Sequence, residues 1–147
     1  MSNYSTRGAM ALIADDTVLS VIAATTVRPK VYDIILSSSS APNDYSAHFQ
    51  LQRFSADGTG TAVTPQVLDF AEVAARATSK HTYTAEPTYT ANEILLDLAH
   101  NLRATVRWTA VPGKELVIPA LAGDGLGLRC QAVSTQFTEV ATIFFEE

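Results

Sequence analysis

The sequence has few of the residues that cross-link a chain or anchor it in a membrane. Cys130 is the single cysteine among 147 residues, so no internal disulfide can form. Apolar runs stay well short of the roughly 20 residues that span a bilayer. Residues 1–16 do not read as a signal peptide, because Asp15–Asp16 directly follows a short apolar piece. We therefore expect a soluble product, made in a cytoplasm, with no membrane partner.

Charged residues are also scarce, and basic residues are fewer than acidic ones. Asp, Glu, Lys and Arg make up 17% of the chain, against about 25% in an average domain. The formal net charge is −5, and the ten basic residues are scattered. Because nucleic-acid binding depends on clustered Lys and Arg, we expect no nucleic-acid partner. The low charge is consistent with an exterior that partners partly cover.

What the chain does contain is a succession of short segments in which apolar and polar residues alternate. The clearest is YSAHFQLQRF at 45–54, where the apolar Tyr45, Ala47, Phe49 and Leu51 alternate with polar residues. Turn formers such as Asp57-Gly58 and Pro112-Gly113 separate the segments. Period two is typical of strands with one buried and one exposed face.

About eight short strands at roughly 8–12-residue spacing predict an all-β, single-domain β-sandwich that is jelly-roll-like. We assign residues 17–147 to the sandwich and residues 1–16, which lack a clear period, to an N-terminal arm. Residues 65–80 predict at most one short helix, with an irregular crossover as the alternative. The turn at 55–61 leaves open a hairpin that returns through 61–64.

Nine apolar residues fall at inward positions of the strand patterns. They are Phe49, Leu51, Leu96, Val106, Trp108, Leu116, Ile118, Leu128 and Ile143. Trp108 shares its register with Ala104 and Val106, which favours a core residue over a ring that stacks on a ligand. Cys130, within LRCQA, likewise predicts a buried apolar thiol and not a reactive one.

No grouping of residues indicates an active site, so we predict no catalytic, cofactor-binding or metal-binding residues, no cofactor and no enzyme. The histidines lack the spacing of metal ligands and are expected on solvent-facing positions: His48, His81 and His100. The acidic pairs adjoin no nucleophile and are expected to be solvated: Asp15–Asp16, Glu86 with Glu93, and Glu146–Glu147. Arg107 and Arg129 lie opposite the apolar face, where they contact an acidic partner or water.

Three phrases of the sequence carry a resemblance to a known class of proteins. They are HFQLQRF at 48–54, TAVTPQVLD at 61–69, and EPTYTANEILLDLAHNLRATVRWTAVPGKELVIPALAGDGLGLRC at 86–130. Over most of residues 18–147 the chain resembles small virion proteins of tailed bacteriophages, and in particular capsid decoration, or cement, proteins. The resemblance rests on strand and turn phrases and not on a catalytic motif.

The resemblance implies a structural role in the virion. Decoration proteins often have jelly-roll or related β-sandwich folds, and they bind the capsid exterior and reinforce it. It implies the major capsid protein as partner and a homo-oligomer, a dimer or trimer, made in the host cytoplasm. A tail- or fibre-associated phage protein is the alternative, and a carbohydrate-binding module or small enzyme is a third. No capsid-contacting residue can be carried over from the family.

Overall fold

The computed structural model describes residues 1–40, 43–133 and 135–147, and this part of the chain forms strands without any helix. The strands are β1 Asn3–Leu12, β2 Thr17–Ile22, β3 Lys30–Ser38, β4 Ser46–Ala56, β5 Thr59–Val63, β6 Gln66–Val67, β7 Thr78–Ala85, β8 Thr88–Asn101, β9 Val106–Thr109, β10 Leu116–Val117, β11 Gly125–Val133 and β12 Phe137–Glu146. Accordingly, the described residues include no helix long and apolar enough to cross a membrane.

The strands build two antiparallel sheets that pack face to face. The first sheet has the order β10-β3-β12-β1-β6, with β9 also paired to β3, and the second has the order β5-β7-β2-β11-β4-β8. The pairs are nested: β1 with β12, β2 with β11, β3 with β9 and β10, and β4 with β8. These successive pairs alternate between the two sheets, which is the winding of a jelly roll. The predicted jelly-roll-like β-sandwich is confirmed.

The core lies between the sheets and follows the period of two. In β12, for example, the inward positions Phe137, Ala141, Ile143 and Phe145 are buried. Of the predicted core, five side chains are fully buried: Phe49, Leu51, Ile118, Leu128 and Ile143. The other four are partly buried and pack against the core: Leu96, Val106, Trp108 and Leu116. These four lie on β8, β9 and β10 at the sheet edges, where a neighbouring strand covers one side only.

The expectation that residues 1–16 form an arm outside the sandwich is wrong. Strand β1 lies between β12 and β6 and pairs with β12 in register from Asn3 to Leu12. Tyr4 is buried, and its ring stacks on Phe145 with centroids 5.4 Å apart. Ordering the backbone costs about 1–2 kcal/mol per residue. Cross-strand hydrogen bonds and the burial of Tyr4 and Leu12 offset that cost.

The segment 65–80 is a crossover and contains no helix, so the helix expectation is wrong and its alternative holds. After β6 in the first sheet, the chain turns at residues 69–72 and reaches β7 in the second sheet. The apolar positions at helical spacing include Phe70, which is 99% exposed. A helix there would have had no core to cover its apolar face. The hairpin from β4 through 61–64 is also absent from the described residues, because β5 pairs with β7.

Candidate interaction surface

A groove of about 620 Å³ lies at one end of the first sheet. Its lining comes from the β6–β7 loop, from the segment that joins β9 to β10, and from outward-facing side chains of the sheet. The loop supplies Leu68, Asp69 and Glu72, and the joining segment supplies Ala110, Pro112 and Glu115. The strands supply Asn3, Tyr32, Thr109 and Glu146, and the residues before β1 supply Met1 and Ser2. This volume falls within the roughly 300–1,000 Å³ of typical binding clefts.

Four carboxylates line the groove, and one of them is neutralised by a nearby lysine. Glu146 accepts a hydrogen bond from Lys30 Nζ at 2.8 Å. Across the described residues, no basic side chain lies within ion-pair distance of Asp69, Glu72 or Glu115. The groove is therefore acidic on balance.

The groove carboxylates are held by neutral donors instead. Glu72 Oε2 accepts from the Ser2 hydroxyl at 2.5 Å, and Asp69 Oδ1 accepts from the Ala71 N–H at 2.9 Å. Glu115 Oε1 accepts from the Gly113 N–H at 2.8 Å. Its own backbone N–H and that of Gly113 lower the pKa of Glu115, so it is ionised at neutral pH.

Tyr32 brings an aromatic ring to the same groove. It is partly buried, and its ring lies 6.4 Å from that of Phe144 between centroids. Burial raises the pKa of Tyr32, and the charges of Asp33 and Glu146 raise it further. The ring is neutral at physiological pH, and the face of a neutral aromatic ring attracts a cation through its quadrupole.

Beside the groove, the β6–β7 loop displays apolar side chains to solvent. Phe70 is 99% exposed, Val73 70% and Leu68 50%. Two further exposed apolar residues belong to the same region. Met1 lines the groove, and Val111 lies in sequence between the lining residues Ala110 and Pro112. Exposed apolar residues that occur singly need no explanation, whereas a group of them is typical of an interaction site.

The β6–β7 loop is anchored although its tip is exposed. The Leu68 N–H donates to the Asn3 carbonyl at 2.9 Å, and the Tyr4 hydroxyl donates to the Val73 carbonyl at 3.1 Å. The Glu147 carboxylate accepts from the N–H groups of Arg76 and Ala77 at 2.6 and 3.0 Å. Because the loop is already ordered, a partner that binds it loses less conformational entropy.

The structure separates the three histidines and places one of them in the core. His48 contacts the exposed Asp97 at 2.6 Å, and His81 contacts Thr82 at 2.7 Å. His100 is buried, so its expected solvent-facing position is wrong. Its Nε2 lies 3.2 Å from Oε1 of Glu139, a buried residue of β12. In the part of the chain that the structure describes, no three His, Cys, Asp or Glu side chains are grouped to hold a metal ion.

Both arginines with an expected outward position have partners within the chain. Arg107 Nε donates to both carboxylate oxygens of Asp33 at 3.0 Å. Arg129 donates to Asp15 at 2.9 Å and lies 5.0 Å above the Tyr89 ring. Asp15 is thus paired and not merely solvated, and these interactions join separate strands and turns of the fold.

The other acidic pairs divide between surface and structure. Glu93 lies 3.7 Å from Arg53 as an exposed pair. Glu86 accepts from the Thr17 N–H at 3.3 Å and from the Thr17 hydroxyl, and burial raises its pKa. Glu146 pairs with Lys30, and Glu147 accepts hydrogen bonds from the N–H groups of Arg76 and Ala77. Glu86 is exposed and Glu147 half-exposed, so both remain solvated in part and are also bonded within the chain.

Comparison of the chain with protein-family models, with curated proteins and with solved structures finds no match.

Proposed function

We propose that the protein is a structural virion protein that binds the outer surface of a bacteriophage capsid and reinforces it. The resemblance of residues 48–54, 61–69 and 86–130 to decoration proteins supports the role. The jelly-roll sandwich fits it, because such a protein needs a stiff body that presents a contact surface. The observation that carries the proposal is the anchored β6–β7 loop, with Phe70 almost wholly in solvent.

The proposed partner is the major capsid protein, and the proposed form is a dimer or trimer. A capsid repeats the same contact over its whole lattice, so each contact can be modest. Linking several contacts in one oligomer raises the effective concentration of the next, and overall attachment can exceed that of a single contact by about 10²–10⁴-fold. This arrangement reinforces the shell through many weak contacts.

Co-sedimentation with purified phage particles tests the proposal. Wild-type protein, added to particles from which it has been stripped, should bind to saturation in a fixed ratio to the capsid protein. Phe70→Ser should reduce this occupancy without lowering the melting temperature, because Phe70 contacts solvent in the free protein. Leu121→Ser is the matched control, since Leu121 is also exposed and lies outside the groove lining. Failure of the wild-type protein to bind capsids, or equal losses for both variants, would contradict the proposal.

A further inference from the structure

The groove and the β6–β7 loop place two kinds of surface side by side. One is apolar, from Leu68, Phe70 and Val73. The other is negative, from Asp69, Glu72 and Glu115 in the groove lining. Within the loop itself the two kinds alternate, because Asp69 stands between Leu68 and Phe70, and Glu72 precedes Val73. An occupant that complements the surface must therefore offer apolar and basic groups at close spacing.

Charge argues against a second copy of this chain as the occupant. In a two-fold contact the same patch faces itself, so Asp69, Glu72 and Glu115 would oppose their own counterparts. Like charges placed together across an interface disfavour association, and the whole chain already carries a net charge of −5. The self-association that we propose for the protein therefore uses another face.

The groove chemistry favours arginine over lysine as the basic group. A guanidinium presents a planar fork that matches a carboxylate and also stacks on an aromatic ring. Glu72 and Glu115 supply the carboxylates, and Tyr32 supplies the ring within the same lining. Lysine would satisfy the charge but would lack the fork and the planar stacking.

We propose that this groove docks a segment of a partner protein in which arginine flanks an exposed apolar side chain. The apolar side chain packs on Phe70 and Leu68, and the guanidinium enters the groove toward Glu72, Glu115 and Tyr32. This inference rests on the proposed function for the identity of the partner, which is then a surface segment of the capsid protein. The groove chemistry by itself defines only the type of segment.

Peptide binding tests the chemistry without capsids. The probes are three short fluorescent peptides with one leucine between flanking residues that are all arginine, all lysine or all glutamate. By fluorescence anisotropy, the arginine peptide should bind most tightly, the lysine peptide more weakly, and the glutamate peptide not at all. Added salt should weaken the binding of the arginine peptide, because salt screens the attraction between exposed charges. Equal binding of the arginine and glutamate peptides, or no binding of either, would overturn the inference.

A pair of charge-matched variants locates the site. Glu72→Gln/Glu115→Gln removes two groove carboxylates and should weaken binding of the arginine peptide about tenfold, which is about 1.4 kcal/mol for the two exposed contacts together. Asp44→Asn/Asp97→Asn removes the same charge from exposed residues outside the groove lining and should change binding less than about twofold. Circular dichroism confirms that both variants are folded. Equal losses would show that net charge alone attracts the peptide, which overturns the inference.

The same two variants, added to phage particles, separate this inference from the proposed function. If wild-type protein decorates capsids and Glu72→Gln/Glu115→Gln does so with unchanged occupancy and affinity, the groove inference fails while the proposed function stands. If the arginine peptide binds in the groove but the protein does not bind capsids, the proposed function fails while the groove chemistry stands. Loss of capsid binding in the groove variant alone supports both.

Discussion

Replacing His100 by alanine should destabilise the protein strongly, because it leaves a carboxylate alone in the core. Glu139 faces inward on β12, and its side chain has no exposed surface, while that of His100 on β8 is 3% exposed. The two lie 3.2 Å apart, and the Phe49 ring stacks on the imidazole with centroids 5.8 Å apart. No described residue gives the Glu139 oxygens an aligned hydrogen bond. The nearby imidazole is thus the main compensation for the Glu139 charge.

The size of the effect follows from the cost of an unpaired charge. Removing one partner of a buried ion pair typically costs about 3–5 kcal/mol, whereas replacing both partners by apolar residues is often neutral or stabilising. We therefore expect His100→Ala to lower the free energy of unfolding by about 3–5 kcal/mol near neutral pH. His100→Leu/Glu139→Leu should lie within about 1 kcal/mol of the wild type or above it.

The pair also predicts a dependence of stability on pH. Contact with the Glu139 carboxylate raises the pKa of His100, and burial raises the pKa of Glu139. Both groups therefore bind protons more tightly in the folded protein than in the unfolded chain. The contribution of His100 is complete below its unfolded pKa of about 6.5 and is lost as the pH rises through the higher folded value. The contribution of Glu139 declines in the same direction from its ordinary value of 4.5.

Urea unfolding followed by the fluorescence of Trp108, the single tryptophan, measures both effects. The free energy of unfolding of the wild type should fall relative to that of His100→Leu/Glu139→Leu as the pH rises above about 6.5, the ordinary pKa of histidine. In His100→Ala, acid should restore stability, because it protonates Glu139. His48→Ala is the control and should cost under about 1 kcal/mol, since its partner Asp97 is exposed. If the double variant were as unstable as His100→Ala, or kept the same pH slope as the wild type, an unpaired Glu139 charge would not be the cause of the instability.

Four further predictions concern the fold. Deleting residues 1–12 should abolish cooperative melting and the β-sheet signal in circular dichroism, because β12 loses all of its pairing with β1. An unchanged melting temperature would show that these residues are an arm outside the sandwich. Gly125→Ala should cost about 3 kcal/mol in urea unfolding, because its Cβ would lie 2.2 Å from the Phe54 ring. Gly113→Ala should lower the free energy of unfolding by only about 1 kcal/mol, because a Cβ there meets no other atom and the only strain comes from the φ of 81°. Burial raises the pKa of Cys130 to about 12, so thiol reagents should label it only after unfolding, and immediate labelling would contradict its burial.

Local patterns predicted the strands and most of the core, because alternation in a strand is a property of neighbouring residues. The alternation of apolar and polar residues did not reveal a strand where the inward positions are occupied by polar or small residues. In β1 these positions include Thr6 and Gly8, so the period of two is faint between Tyr4 and Leu12. Around Phe70 the failure is the reverse: apolar residues fall at helical spacing by coincidence and face solvent.

The candidate surface could not be predicted, because its residues meet only through the winding of the sheets. Its lining joins residues near position 2 with others near 70, 112 and 146, and no local motif connects them. The His100–Glu139 pair has the same origin, since β8 and β12 belong to different sheets. One signal was available: Glu139 falls in step with Phe137, Ala141 and Ile143, which places a carboxylate at a core position.

An image reconstruction of purified phage particles by electron cryomicroscopy would show where the protein binds. We expect regular density for the jelly roll on the capsid exterior, with the β6–β7 loop and its acidic groove turned toward the capsid protein. Density confined to the tail, or a capsid-bound protein whose Phe70 faces solvent, would contradict this expectation.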